Sequence, residues 1–372
     1  MQFIDLQAQY QLLKKEIDAN ILKVLNHGHY IMGPEIAELE SNLAEYVGVK
    51  HCITCANGTD ALQMVLMAWN IGVGDAVFVP TFTFMSTAEV VSLQGATPVF
   101  TDINLETFNM SADSLEQAIE KTIADGKLTP KAIIPVDLFG LPADYDAIMQ
   151  VAKKYNLLVL EDGAQGFGGS IDGKIVGSFG HAATTSFFPA KPLGCYGDGG
   201  AIFTDDDELA ELLISIRIHG KGTEKYDNIR VGLNSRLDTL QAAILLPKLQ
   251  AFKSYELDLR NKFANMYEFN LSSKYSTPKV PDRYISSWAQ YTLLLDSEVE
   301  RSELQAKLKS HDIPSMVYYP RPLHLQTAYR DLGYAVGAFP NAEAACARVL
   351  SLPMSPWLKS EELDAICRVL MG

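Results

Sequence analysis

The sequence predicts an α/β protein: a mainly parallel, seven-stranded sheet flanked by helices, followed by a smaller C-terminal α+β domain. Three observations carry this. Short apolar, β-branched runs alternate with longer stretches of helical periodicity through the first two thirds of the chain. Most gaps between the runs are long enough for a helical crossover, as parallel neighbours require. Beyond Asn234 the pattern changes to one long helix and then to mixed strands and helices.

Taken in order, the strands are expected at 51–55, 76–80, 97–101, 132–136, 157–161, 182–187 and 201–204. The gap between Phe187 and Ala201 is too short for a crossover, so those two strands must pair differently or sit apart. The segment "NSRLDTLQAAILLPKLQAFKSYELDLRNKFANMYEF" reads as a helix that Pro247 should kink or divide. After it, "WAQYTLLL" reads as a strand and "RSELQAKLKSHDI" as a helix. The expected division is a large domain over 1–245 and a small one over 246–372.

Bulk composition narrows the function. A chain of 372 residues, 48% hydrophobic, can bury a large core. A net charge of -14 without a compensating basic face argues against nucleic acid as partner. No apolar run is long enough to span a bilayer, and the amphipathic N-terminus carrying Asp5 is not a signal peptide. Five cysteines without an export signal fit reduced thiols in a cytoplasm. Cys52 and Cys55 resemble half a zinc site, but no second pair stands at ligand spacing, and buried small residues are the better reading. No metal is expected.

Ligands of open parallel sheets gather at the carboxyl ends of the strands. After the first strand, Gly58 and Thr59 lead into a helix, where free N–H groups and the helix dipole would meet an anion, although a plain capped turn has the same look. After the second, "TFTFMSTAEVV" leaves Phe82 and Phe84 near the sheet edge, either of them readable as core. After the fifth, Glu161 and Asp162 are adjacent and so face opposite ways, which excludes a carboxylate pair. One acid there suits a protonated ring nitrogen, or a turn cap. Two phosphate motifs fail: "GGSIDGKIV" has Ile175 where a metal-binding hydroxyl is needed, and "GCYGDGG" lacks a strand-then-helix setting. Together, an anion cup, a flat aromatic, a strand-tip Asp and a lone Lys191 after Ser186 make up what pyridoxal 5′-phosphate needs. The lysine supplies the amine for the aldehyde and afterwards a base, and the carboxylate keeps the ring nitrogen protonated.

At this point the chain resembles the DegT/DnrJ/EryC1/StrS sugar aminotransferases, which share the fold of type I pyridoxal-phosphate enzymes. The resemblance runs from "FIDLQAQY" and "HGHYIMGPEIAELE" through "ANGTDAL", "EDGAQGFG", "SFFPAKPLGCYGDGGAIFT" and "GLNSRLDTLQAAIL" to "YYPRPLH" and "LSLPMSPWL". It implies that Lys191 bonds the cofactor and Asp162 faces the pyridinium. Gln165 would meet the phenolic oxygen, Phe84 rather than Phe82 would stack on the ring, and Gly58, Thr59 and Ser186 would hold the phosphate. It also implies a homodimer, with Asn234 reaching the neighbouring subunit's phosphate. The substrates implied are L-glutamate and a nucleotide-linked keto sugar, UDP-2-acetamido-3-oxo-glucuronate first and a dTDP-3-oxo-6-deoxyhexose as competitor. Arg236, Tyr318, Tyr319 and His324 would line the sugar site, Arg236 having the fork that grips a carboxylate or phosphate. One departure stands out: Tyr318 occupies the place where the glucuronate enzymes carry histidine. A dehydratase relative would have histidine for Lys191, and a regulatory relative would have lost Lys191, Asp162 or the anion cup.

Overall fold

The computed structural model describes residues 1–224 and 226–372. Helices α1 (Leu6–His27) and α2 (Pro34–Val47) precede β1 (His51–Cys55) and α3 (Gly58–Ala68). Then come β2 (Asp75–Pro80), α4 (Ser86–Leu93), β3 (Thr97–Thr101), α5 (Ala112–Asp125), β4 (Thr129–Ile133), α6 (Tyr145–Tyr155) and β5 (Leu158–Asp162). The strands β6 (Ala182–Ser186) and β7 (Gly200–Thr204) lead into α7 (Asp207–Ile216). Side chains at the helix starts explain why helices begin where they do: Asp5, Asn57, Ser111, Asp144 and Asp206 each accept a first-turn N–H.

These strands form a seven-stranded sheet in the order β1-β7-β6-β5-β4-β2-β3. Neighbours from β6 to β3 are parallel, and β7 runs against both β1 and β6. The short gap after Phe187 is thereby explained: β6 and β7 are antiparallel, so their link needs no crossover. The expected fourth strand, 132–136, is displaced; the ladder covers Thr129–Ile133 instead. Pro135 has no N–H to donate, which interrupts the ladder, and only a single bridge from Val136 to Asp162 continues the pairing beyond it.

The C-terminal part begins with α8 (Thr239–Ala251), a π-helical turn over Phe252–Glu256, and α9 (Leu257–Leu271). It continues with β8 (Tyr291–Leu294), α10 (Glu298–Ser310), α11 (Pro340–Arg348), β9 (Val349–Leu352) and α12 (Ser360–Met371), with β8 and β9 antiparallel. Its core joins Tyr267, Tyr291, Leu350, Leu363 and Ile366. The break expected at Pro247 is not there: α8 runs through the proline, and the α pattern gives way only in the π turn beyond it. Ala243 O, the carbonyl four residues earlier that Pro247 cannot serve, accepts instead from Asn20 Nδ2 of α1 at 3.1 Å.

Candidate active site

The site forms where β1, β2, β5 and β6 end and β7 begins. Lys191 lies in the β6–β7 link, a compact loop closed by Lys191 N to Phe188 O at 2.9 Å and Cys195 N to Phe187 O at 2.7 Å. Gly194 is required there, because a Cβ would fall 2.6 Å from both Phe188 O and Pro189 O. Further along, Gln241 of α8 clamps Tyr196, accepting from its N at 2.9 Å and donating to its O at 3.3 Å. Burial pulls the Lys191 amine below its ordinary pKa, and the facing charge of Asp162 opposes the shift.

Asp162 ends β5 and is buried. Its Oδ2 accepts from Thr87 Oγ1 at 2.9 Å and its Oδ1 from Ala164 N at 3.3 Å. Burial raises its pKa, while those two donors and Lys191 pull the other way. A cation set against this carboxylate would strengthen that pull and keep it ionised. Glu161 points to the opposite face, as the alternation of a strand dictates, and accepts from Gly177 N and Phe179 N.

The anion cup is assembled by close packing. A Cβ on Gly58 would lie 2.7 Å from the Ser186 Cβ, and one on Gly200 would lie 2.6 Å from the Asn57 carbonyl carbon. The first turn of α3, with Gly58 and Thr59, is therefore pressed against the end of β6. Asn57 Oδ1 occupies Asp60 N at 2.8 Å, and the earlier N–H groups of the helix are the ones that lack an intrahelical acceptor. Glycine, hydroxyl and helix N-terminus so placed fit a phosphate.

The two aromatic residues after β2 differ in exposure. Phe82 is 0% exposed, packed among Phe108, Phe139 and Tyr319, whereas Phe84 is 55% exposed with its ring 6.2 Å from Tyr319. Gln165 is fixed at both ends: Oε1 accepts from Phe139 N at 2.9 Å and Nε2 donates to Tyr319 Oη at 3.1 Å. Burial raises the Tyr319 phenol well above its ordinary pKa. Arg236 donates to Asn234 Oδ1, and Asn234 is exposed.

His324 is placed differently from the expectation of a sugar contact. It is 1% exposed, Thr81 Oγ1 lies 2.8 Å from Nδ1, and Glu343 Oε1 lies 3.2 Å from Nε2. Both ring nitrogens are engaged, so the side chain ties the β2 end to α11. Sequence reasoning missed Thr87, Gln241 and Asp137. Thr87 had a legible signal, a hydroxyl in the helix start that follows β2. Asp137 had none: it sits in the loop after β4, where Oδ1 accepts from Ala143 N at 2.8 Å and Tyr145 Oη at 2.9 Å.

A seven-stranded sheet with one reversed strand, a half-buried lysine in the reversed link and an acid at the facing strand tip define a pyridoxal-phosphate enzyme of fold type I. The family model for DegT/DnrJ/EryC1/StrS aminotransferases matches residues 11–371, and the chain belongs to that family of sugar aminotransferases, with pyridoxal 5′-phosphate as the cofactor its residues fit. It is 50% identical over 373 residues to the UDP-2-acetamido-2-deoxy-3-oxo-D-glucuronate aminotransferase of Pseudomonas aeruginosa, covering 100% of this chain and 99% of that one. It is 41% identical to the UDP-N-acetyl-3-dehydro-alpha-D-glucosamine 3-aminotransferase of Acidithiobacillus ferrooxidans, covering 99% and 96%. Among solved structures, a family aminotransferase from Brucella abortus superposes with a TM-score of 0.97 at 52% identity, covering 100% and 99%.

Proposed function

We propose that this chain moves the amino group of L-glutamate to C3 of a UDP-linked 3-oxo-2-acetamido sugar, with the glucuronate as first substrate, on a route to a surface polysaccharide in the cytoplasm. One observation carries the reading: Asp162, buried at the end of β5, acts electrostatically on the half-buried Lys191 of the β6–β7 link, and the first turn of α3 is pressed against Ser186 at the end of β6. When bound, the cofactor supplies an electron sink. Asp162 holds the proton on the ring nitrogen, Gln165 meets the phenolic oxygen, and Phe84 covers the ring face. Gly58, Thr59 and Ser186 bind the phosphate. Lys191 Nζ, its basicity lowered by burial, moves the proton at the donor α-carbon and afterwards at C3 of the sugar. One pocket then serves two substrates in turn.

On this reading residues 1–245 hold the cofactor, and residues 246–372 bring Tyr318 and Tyr319 to it. A homodimer is part of the proposal. Asn234 is exposed, as a residue reaching a partner's phosphate must be, and Leu22, Leu25, Tyr30 and Ile31 present apolar surface. Among sugars, Arg236 suits a uronate, whereas the neutral Tyr318 suits a hydroxyl and keeps the 3-oxo-glucosamine and dTDP-3-oxo-6-deoxyhexose readings in play. Lys191 speaks against a dehydratase, and the intact Lys191–Asp162 pair against a purely regulatory relative. The test is turnover, with L-glutamate, of a panel of UDP- and dTDP-linked 3-keto sugars. Preference for the UDP-uronate supports the proposal in full, and preference for a 6-deoxy dTDP sugar overturns its substrate. A yellow protein whose absorbance does not change on adding L-glutamate would remove the donor half.

A further inference from the structure

The aromatic side chains beside the cofactor pocket do not stop at the tyrosine pair. Phe84 lies 6.2 Å from Tyr319, Tyr319 lies 5.7 Å from Tyr318, and Tyr318 meets the ring of Phe3 edge-on at 6.3 Å. The wall thus begins at the exposed ring nearest the cofactor and ends on the segment preceding α1, which is pinned by Asp5 capping Ala8 N at 2.9 Å. Its inner member is fixed independently, because Tyr319 is held by Gln165 and packed against Phe82. Tyr318 rests on the core beneath it, and its aromatic contacts are Tyr319 on one side and Phe3 on the other. Phe3 and Tyr318 are both partly buried, so their mutual contact removes area from water without closing the pocket.

We infer that Phe3 is a specificity-determining positioning residue: by bracing Tyr318 it shapes the outer wall that receives the nucleotide-linked sugar, and it does not act on the amino donor. This rests on the sugar-nucleotide reading above. The physical reason for the split is size. Glutamate is small enough to be held by groups next to the cofactor, whereas a nucleotide sugar must extend outward past Tyr319, where Tyr318 and Phe3 stand. Edge-to-face aromatic packing contributes a modest, orientation-dependent stabilisation beyond burial, so its loss should loosen Tyr318 without unfolding the domain.

The test uses the cofactor-loaded protein and four variants: Phe3→Ala, Phe3→Leu, Tyr318→Ala and the Phe3→Ala, Tyr318→Ala double variant. Calorimetric titration with UDP-N-acetylglucosamine and with dTDP-glucose measures binding without turnover, and the L-glutamate-dependent absorbance change reads the donor half. Expected is a roughly three- to tenfold weaker Kd in Phe3→Ala for whichever probe the wild type binds, the loss expected for one aromatic contact. Phe3→Leu should restore part of it, Phe3→Ala in a Tyr318→Ala background should add little, and the glutamate response should be unchanged in the two Phe3 single variants. An unchanged Kd in Phe3→Ala, or a glutamate response weakened to the same extent, overturns the inference. A wild type that binds neither probe while responding to glutamate overturns the substrate class beneath it and the inference with it. If Phe3→Ala lowers the melting temperature, the additivity of the double variant still decides the matter, since a purely structural loss would add fully to Tyr318→Ala.

Discussion

Two carboxylates adjacent in the chain, Glu161 and Asp162, end the same strand on opposite faces of the sheet, and their surroundings differ in kind. Glu161 is enclosed by backbone: Gly177 N and Phe179 N donate to it, and Asp137 lies beside it, itself held by Ala143 N and Tyr145 Oη. Asp162 has one side-chain donor, one long backbone donor, and an open direction toward Lys191. Both are buried and both have raised pKa values, yet only one interacts with Lys191. Burial alone therefore does not mark a functional acid. What separates them is whether the protein itself fills the carboxylate's hydrogen-bonding capacity.

The sharpest test of the pocket side is Lys191→Ala, which should abolish transamination, a loss of at least about a thousandfold in kcat, measured in single-turnover assays. Asp162→Asn keeps the shape and the Thr87 contact but removes the charge that holds the ring proton. It should cost roughly a hundredfold or more in kcat with the fold intact by circular dichroism. If Asp162→Asn were neutral, the contrast between the two acids would collapse.

On the other face, Glu161→Gln should act on stability. It sets an amide NH2 against a backbone N–H, leaving a buried donor unpaired at a cost of about 1–3 kcal/mol in denaturant unfolding. Asp137→Asn should be milder, because Asp137 Oδ2 has no hydrogen-bond partner among the described residues and an amide there can donate to Glu161. The pair also predicts a pH dependence. Burial and the charge of Glu161 raise Asp137 well above its ordinary range, and burial, opposed by the groups that hydrogen-bond to it, raises Glu161 from 4.5 to about 7, with Tyr145 and Asp162 the other titratable groups that face them. A raised folded pKa means the folded state holds the extra proton. This stabilisation is present below the ordinary carboxyl range and is lost as pH climbs toward about 7. The melting temperature of the cofactor-free protein should accordingly fall between those limits, and Asp137→Asn should flatten the slope. The smallest effect on chemistry belongs to His324→Ala. It should lower stability by about 1 kcal/mol, since the ring contacts to Thr81 and Glu343 are lost while Glu343 keeps Gly337 N and Phe339 N, and leave the KM for the sugar unchanged.

Much of this was legible beforehand because local chemistry and global placement agree. Short β-branched runs with long gaps between them led to the mainly parallel sheet, and strand-tip reasoning singled out Asp162 and Gly58, which the fold brings to the same end of the sheet as Lys191. The readings that shifted depend on contacts distant in sequence. His324 is held by Thr81 and Glu343, and the charge of Glu161, from another strand, raises the pKa of Asp137. No window of sequence contains both halves of such a pair.

The bond from Asn20 to the Ala243 carbonyl has a consequence for how this chain tolerates change. Replacing Asn20 alone strands a carbonyl that Pro247 cannot satisfy, and replacing Pro247 alone by alanine returns an N–H to that carbonyl and leaves the asparagine competing for it. Each substitution is judged by the other's presence, so the two positions are epistatic although they lie on different helices. Variants are expected to keep both or to lose the asparagine only after the proline has gone.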